Sequence, residues 1–113
     1  MSDWHVHMTK QAEVDLRDLY EYVAFDLLEP GIAKSLVQRI KKRIDKLDTL
    51  PLSFAPYQKE PWKSRGLRRI NSGKYAIFFI PYEEEKTVTV IRIMYGGRNI
   101  NQILEDMIND SSE

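Results

Sequence analysis

Two strongly apolar runs lie in the second half of the chain, Tyr75 to Tyr82 and Thr87 to Tyr95. Their aromatic and β-branched residues suit the pleated, half-buried surface of a strand. The charged segment Glu83 to Lys86 between them suits an exposed loop, so the two runs are predicted to pair as an antiparallel hairpin. Alternation along the second strand predicts two faces, with Ile91 and Ile93 on one and Val88, Val90, Arg92 and Met94 on the other.

Helical periodicity replaces this alternation in the first half of the chain. Thr9 suits an N-cap, and after it one apolar stripe recurs at helical spacing, formed by Ala12, Leu16, Leu19, Tyr20, Val23 and Leu27. The helix breaks at Leu28 to Gly31, because Pro30 disfavours the helical conformation in the residue before it. A second amphipathic helix is predicted from Pro30 to about Leu50. The short connection predicts an antiparallel helical hairpin packed on the sheet.

Shorter elements complete the chain. Trp4 to Met8 alternates as a short strand, and the proline-rich segment Leu50 to Pro61 is predicted to be a loop over the core. The loop should be anchored by Phe54, Tyr57 and Trp62. Further along, the pattern predicts a strand near Gly66 to Asn71, a turn in which Gly73 takes positive φ, and an amphipathic helix at Ile100 to Ile108 that Asn99 could cap.

The predicted fold class is α+β. A single domain over residues 1–113 would have an N-terminal strand, an antiparallel helical hairpin packed on an antiparallel β-sheet of about four strands, and a short C-terminal helix. The length of 113 residues suits one core, and the hydrophobic fraction of 42% argues against disorder.

The composition of the chain limits where the protein is expected to act and which reactive groups it can use. No apolar run approaches the roughly 20 residues that cross a bilayer, and no signal peptide opens the chain, so a cytosolic protein without a membrane partner is expected. The chain has no cysteine, which excludes a disulfide framework and a thiolate nucleophile. His5 and His7 point the same way from the first strand, but no third ligand accompanies them. We expect two solvent-facing histidines, and neither a metal nor another cofactor.

The zero formal net charge hides a strong segregation of charge. Residues 1–29 carry two Lys or Arg and seven Asp or Glu, residues 30–82 carry twelve and three, and residues 83–113 carry three and seven, giving net charges of −5, +9 and −4. The basic middle is either the footprint of a polyanion site or the solvated face of an amphipathic helix. The second helix presents a basic outer face, and part of its charge is expected to pair with acids of the first helix. The residues of this face are Lys34, Arg39, Lys41, Lys42, Arg43 and Lys46.

Three motifs carry a resemblance to a known group of proteins. They read G-x-R-x-I at 66–70, G-K-Y-x-I-x-F at 73–79 and V-x-V-I-R-I-x-Y-G-x-R at 88–98. With the element order over residues 4–108, the chain resembles the RelE/ParE superfamily of toxins from bacterial type II toxin–antitoxin modules. The resemblance implies a growth-inhibiting protein of the plasmid-stabilization type, neutralised by a cognate antitoxin. RelE-like members are implied to cut mRNA in the ribosomal A site, and ParE-like members to inhibit DNA gyrase.

The resemblance also implies site residues. RNA cleavage requires activation of a 2′-hydroxyl, stabilisation of charge on phosphorus and protonation of the leaving oxygen. In a RelE-like enzyme, which needs no metal, the catalytic set would be Arg68, Arg69, Arg92, Tyr95 and Arg98, with Arg92 or Arg98 matching the basic residue of the last strand. Ala76, however, stands where RelE-like sequences carry an arginine after Tyr75. Loss of one such donor costs a factor of about 10²–10³ in rate, unless Arg69 or Lys74 replaces it.

The residues leave three hypotheses open. The favoured one is a toxin that inhibits DNA gyrase, because the Y-G-G-R-N-I sequence at 95–100 resembles the ParE branch, although Asn99 replaces the acid common there. The alternative is a ribosome-dependent mRNA endoribonuclease, and the third is an inactive descendant that only binds antitoxin. Each implies an antitoxin helix or added strand in a groove between the helical hairpin and the sheet. The predicted partner-binding residues are Lys63, Arg65, Lys74 and Arg98.

Several of these residues also have a purely structural interpretation. Arg92 is either a site residue or half of a buried ion pair. Arg68 and Arg69, adjacent on a strand, must point to opposite faces, so one of them is expected to pair with an acid of the first helix. The aromatic residues Tyr75, Phe78, Phe79 and Trp62 are predicted to lie in the core rather than to stack on nucleobases.

Overall fold

Strands and helices follow one another in the order that the sequence pattern predicts. The computed structural model describes residues 3–111. Its elements are β1 His5–Met8, α1 Lys10–Glu21, α2 Pro30–Asp45, α3 Trp62–Arg65, β2 Arg68–Ser72, β3 Tyr75–Tyr82, β4 Thr87–Tyr95 and α4 Ile100–Ser111. A π-helical turn, Tyr22–Asp26, continues α1, and 3-10 turns follow α2 at Lys46–Asp48 and Pro51–Ser53. No helix among the described residues is long and apolar enough to span a membrane.

The four strands form one mixed sheet in the order β1-β4-β3-β2. The three sequential strands pair antiparallel, as predicted. β1 departs from the predicted antiparallel arrangement, since it pairs parallel with β4 and places Val6 opposite Val88. A parallel neighbour requires a long crossover connection, which the helical hairpin and the meander supply here.

Thr9 fastens the start of α1 to the sheet. Its Oγ1 accepts a hydrogen bond from Ala12 N at 3.1 Å, which confirms the predicted N-cap. The same hydroxyl donates to the carbonyl of Ile91 on β4 at 3.2 Å. One side chain therefore satisfies a free amide of the first turn and fixes the helix over the strand.

Replacing Thr9 by alanine should lower the free energy of unfolding by about 1–2 kcal/mol, because it removes the cap and leaves the carbonyl of Ile91 without this donor. Urea unfolding followed by circular dichroism measures the loss. Thr49→Ala is the matched control, because Thr49 is exposed and its hydroxyl donates to the adjacent Asp48, so its loss should cost less than about 0.5 kcal/mol. Equal losses in the two variants would contradict the assigned role of Thr9.

The sheet is covered on both faces. The helical hairpin covers one face, where Leu16, Ile40 and Ile44 pack against sheet residues that include Phe79 and Val90. α4 and the segment around α3 cover the other face, where the core consists of Trp62, Leu67, Ala76, Phe78, Ile80, Ile91, Met94 and Leu104.

The proline-rich loop is anchored as predicted. Phe54 packs edge-on against Phe79 in the first core, and Tyr57 packs edge-on against Phe78 in the second. The indole Nε1 of Trp62 donates to the carbonyl of Leu104 at 3.0 Å, which joins α3 to α4.

A β-bulge in β4 overturns the predicted division of its faces. Phe78 pairs with Arg92 and Phe79 with Val90, so Ile91 is an extra residue between two pairs. The extra residue reverses the alternation beyond it. Ile93 therefore joins the hairpin-side core together with Val88 and Val90, whereas Ile91 packs with Met94 beneath α4.

The π-helical turn changes the end of the first helix. Leu27 N donates to the carbonyl of Tyr22, five residues earlier, instead of four. The wider turn rotates Leu27 out of the predicted apolar stripe, and its side chain is 50% exposed. Val23 is buried, as the predicted stripe requires, and Ala24 is buried beside it.

The predicted ion pairs between the two long helices do not form among the described residues. The ion pairs within residues 3–111 join Arg17 to Asp18 and Glu21, both on α1, and Arg92 to Asp15. Arg43 of α2 instead donates to the carbonyl of Asn71 at 3.1 Å. The prediction that helix-two charge is neutralised by helix-one acids is therefore wrong.

Candidate functional site

A cleft of about 620 Å³ lies between α1 and the ends of β3 and β4. The groove expected between the helical hairpin and the sheet is therefore present. Its floor is apolar and aromatic, and Asp18 and Arg98 bring opposite charges to it. The residues that line the cleft are Asp15, Asp18, Leu19, Tyr22, Tyr75, Ile93, Met94, Tyr95 and Arg98.

Two tyrosines form one wall of this cleft. The rings of Tyr75 and Tyr95 meet edge to face with centroids 5.9 Å apart. Burial raises the pKa of the Tyr75 phenol, and the neighbouring phenols of Tyr95 and Tyr22 raise it further. Tyr75 therefore keeps its proton at neutral pH and serves as an apolar surface with a hydrogen-bonding hydroxyl.

The end of the helical hairpin exposes large apolar side chains. Phe25 is 65% exposed, Leu28 78% and Ile32 54%. Leu28 has a φ of 55°, a left-handed conformation that is costly for a bulky residue, and it follows directly on the π-helical turn. Exposed apolar patches and π-turns both mark interaction sites.

Tyr22 lines the cleft, is 53% exposed and precedes Phe25 by about one helical turn, so we group the cleft and the hairpin end together as one surface. We call this the hairpin surface. The residues around the hairpin end are acidic, at Glu21, Asp26 and Glu29, and all three are exposed. The hairpin surface therefore combines an apolar centre with a predominantly acidic border.

A largely buried ion pair lies at the wall of the cleft, where Asp15 is one of the lining residues. Arg92 Nε and Nη2 donate to the Asp15 carboxylate at 2.7 and 3.1 Å, and Ile93 N donates to the same carboxylate at 2.9 Å. The side chains are only 15% and 9% exposed. Of the two interpretations of Arg92, the ion pair is the one observed. The acid of helix one thus pairs with Arg92, and not with Arg68 or Arg69 as predicted.

A second, polar pocket of about 430 Å³ lies under the proline-rich loop. We call it the loop pocket. Arg69 lies within it, 5.7 Å from the centre of the Phe78 ring, and donates to Asn71 Oδ1 at 3.1 Å. The Tyr57 hydroxyl donates a hydrogen bond to Asn101 Oδ1. The lining residues are Ala55, Pro56, Tyr57, Gln58, Lys59, Arg69, Asn71 and Asn101.

Burial raises the pKa of the Tyr57 phenol, and the positive charge of Arg69 opposes this increase. The phenol therefore remains protonated at neutral pH. In this pocket Tyr57 could donate a proton or a hydrogen bond, but it is poorly suited to act as a general base.

Two of the five predicted catalytic residues, Arg68 and Arg92, are engaged in structural contacts. Arg69, in contrast, reaches Gly96, the residue after Tyr95: a Cβ at Gly96 would lie 3.4 Å from Arg69 Nη2. Arg68 donates from Nη1 to the carbonyl of Phe54 and so holds the loop. Arg69 lies in the loop pocket, Arg92 is held by Asp15, and Tyr95 and Arg98 line the cleft. Ala76 is fully buried in the core beneath α4.

The four predicted partner-binding residues are spread out. Lys63 and Arg65 lie on α3, where the Arg65 guanidinium is 5.3 Å from the centre of the Trp62 ring. Lys74 is exposed in the turn before β3. Of the four, Arg98 alone lines the cleft. Their roles stay predictions.

His5 and His7 lie exposed on β1, where His7 Nε2 is 3.0 Å from Thr89 Oγ1. Within residues 3–111 there is no cluster of three His, Cys, Asp or Glu side chains that could hold a metal ion.

The sequence interpretation missed Asp15, Tyr22 and the exposed hairpin end. The signal for the hairpin end was the apolar pair Leu27-Leu28 at a helix break, where a solvated turn is ordinarily polar. Tyr57 was identified as an anchor but not as part of a polar pocket.

Solved structures with this architecture define the class of the fold. The chromosomal ParDE toxin–antitoxin system from P. aeruginosa matches with a TM-score of 0.68 and 21% identity, over 84% of this chain and 98% of that one. The RelBE2 toxin–antitoxin complex from Mycobacterium tuberculosis gives 0.59 and 21%, over 81% and 96%. The archaeal RelE–RelB complex from Pyrococcus horikoshii OT3 gives 0.58 and 18%, over 87% and 99%. The protein thus has the RelE/ParE fold.

The sequence then defines the family. The profile of the ParE toxin of type II toxin–antitoxin systems, parDE, matches residues 6–100. The protein therefore belongs to the ParE toxin family, and the resemblance inferred from its motifs is confirmed. No curated protein sequence matches it significantly.

Proposed function

We propose that this ParE-family toxin arrests growth in the cytoplasm by binding DNA gyrase and not by cutting RNA. The observation that carries the proposal is the engagement of predicted catalytic arginines in structural contacts. Catalysis by charge stabilisation requires donors that converge on one phosphate. Here Arg68 is held by a loop carbonyl and Arg92 by Asp15, which removes two of the four predicted arginines from any common centre. Arg69, whose guanidinium lies beside Gly96, and Arg98 in the cleft are the two that remain.

The position of Ala76 adds a second argument. RelE-like sequences carry an arginine there, but this side chain is packed at 0% exposure among Trp62, Phe78 and Leu104. An arginine at this position would displace the core that joins α4 to the sheet. The packing of the core around Ala76 therefore explains why this chain has no arginine at that position.

The hairpin surface is the proposed docking site of a cognate antitoxin, the kind of partner with which the similar ParDE and RelBE systems are described. Its apolar centre fits the apolar face of an amphipathic helix, and its border at Glu21, Asp26 and Glu29 is complementary to basic flanking residues. We therefore propose an antitoxin segment with alternating apolar and basic positions at helical spacing.

A specific observation favours the endoribonuclease as the second candidate. The loop pocket brings Arg69 and Lys59 close to Tyr57, whose hydroxyl is protonated at neutral pH and can donate to a leaving oxygen. The pocket lacks a group positioned to remove the 2′-hydroxyl proton, because its remaining side chains are neutral. It is therefore the weaker candidate.

Induction of the protein alone in growing cells separates the candidates. Primer extension detects cleavage of translated messages, and a reporter detects the DNA damage response. Damage signalling with intact mRNA is the expected result. Codon-spaced cuts that disappear with Tyr57→Phe and Arg69→Ala, while damage signalling stays absent, would establish the ribonuclease instead. Normal growth without cleavage or damage signalling would support the third hypothesis, an inactive protein that only binds the antitoxin.

A further inference from the structure

The outer face of α2 and the first residue of the 3-10 turn that continues it carry positive charge that the proposed function does not use. These cations are all exposed, and we call them the basic face: Lys34, Arg39, Lys41, Lys42 and Lys46. We infer that the basic face is a binding surface for the phosphate backbone of duplex DNA, separate from the hairpin surface.

The charge of the basic face is not neutralised within the protein. Among the side chains of residues 3–109, no carboxylate oxygen lies within 4.0 Å of these cations. Asp45 is an acid on the same exposed side of α2, and Asp48, beyond the helix, accepts a hydrogen bond from Thr49. Arg43 is excluded from the basic face because it lies over the Phe54 ring and donates to β2.

The spacing of the cations suits a polyanion. Arg39, Lys42 and Lys46 follow one another at intervals of three and four residues, which places them in one row along the helix. At a rise of about 1.5 Å per residue, the row is roughly 10 Å long. Phosphates follow each strand of duplex DNA at about 3.4 Å along the axis, so the row spans about three of them. Ser35 and Gln38, beside the row, supply hydrogen bonds of the type that phosphates accept.

The composition of the face favours a duplex over a single strand or a membrane. Proteins that bind single strands add aromatic side chains on which bases stack, and α2 contains no aromatic residue. Helices that bind membranes present an apolar face, but the apolar stripe of α2 is packed against the hairpin and the sheet through Ile40 and Ile44. The basic face is therefore suited to contact the phosphates of a duplex without reading its base sequence.

The basic face lies apart from the cleft, since no residue of α2 lines it. A partner seated in the cleft would leave the row from Arg39 to Lys46 accessible. The DNA-binding inference therefore does not depend on the identity of the toxin's target.

Fluorescence anisotropy of the full-length chain with a labelled duplex of arbitrary sequence, about 20 base pairs long, tests the inference. The expected dissociation constant is in the non-specific range of about 10⁻⁶–10⁻⁴ M. Between about 50 and 200 mM salt, log K should fall with log salt at a slope of about −3, as expected for three to four phosphate contacts. The triple variant R39E/K42E/K46E should weaken binding at least tenfold and flatten the slope.

A second triple variant with the same change in net charge provides the control. K10E/R17E/K86E reverses three exposed cations on α1 and in the turn between β3 and β4, and it should bind the duplex within about threefold of the wild type. Circular dichroism verifies that both variants fold. Equal loss in the two variants, absence of salt-dependent binding by the wild type, or tighter binding to a single strand of equal length would each overturn the inference.

Discussion

Replacing Asp15 by alanine is expected to lower the free energy of unfolding by about 3–5 kcal/mol, a large share of the roughly 5–15 kcal/mol that stabilises a domain. The Asp15 carboxylate accepts hydrogen bonds from Arg92 Nε and Nη2 and from Ile93 N, at distances of 2.7 to 3.1 Å. Its removal leaves a guanidinium with 15% exposure and no counter-charge. Urea unfolding measures the loss.

Two further variants make this prediction specific. Asp18→Ala removes an acid on the same helix whose side chain is 66% exposed, and it should change stability by less than about 0.5 kcal/mol. Replacing both partners, with Asp15→Leu and Arg92→Met, should recover most of the loss, because paired removal leaves no isolated charge. A cost below about 1 kcal/mol for Asp15→Ala would show that the pair behaves as an exposed salt bridge.

The second large effect is expected at the hairpin surface. The double variant Phe25→Ser and Leu28→Asn should weaken binding of the cognate antitoxin by about 30-fold or more. Both side chains are more than half exposed, so their loss should leave the folding stability unchanged. Asn also tolerates the left-handed conformation of Leu28. Isothermal titration calorimetry of each variant with the antitoxin measures the effect.

Leu50→Asn is the matched control for Leu28→Asn. Leu50 is 71% exposed and has a φ of 53°, so it shares both the exposure and the backbone conformation of Leu28. It lies after α2, outside the hairpin surface, and its replacement should not change antitoxin affinity. An equal loss with Leu50→Asn, or an affinity within threefold of wild type for the double variant, would show that the antitoxin binds elsewhere.

The elements that local signals determine were predictable from the sequence. The β3-β4 hairpin follows from two apolar runs around a charged loop, and Thr9 and Gly73 occupy the cap and the turn that their chemistry favours. α3 was not predicted because it is only four residues long and follows Pro61. The bulge at Ile91 was hidden, since β4 is apolar on both faces and alternation cannot locate an extra residue there.

The site was predictable only where its residues are close in sequence. Tyr95 and Arg98 were identified from the motif that ends β4, and both line the cleft. Asp15 was missed because its partner is 77 residues away and an acid on an amphipathic helix ordinarily faces solvent. The exposure of Phe25 and Leu28 depends on the π-helical turn, which periodicity of 3.6 residues does not reveal.

The most direct test of the proposed function uses purified components. The full-length chain is added to DNA gyrase with plasmid DNA and, separately, to ribosomes translating a defined message. The proposal predicts inhibited supercoiling with accumulated cleaved plasmid, both reversed by the antitoxin, and an intact message. Unaffected supercoiling together with cleavage of the message in the ribosomal A site, lost in Arg69→Ala, would contradict it.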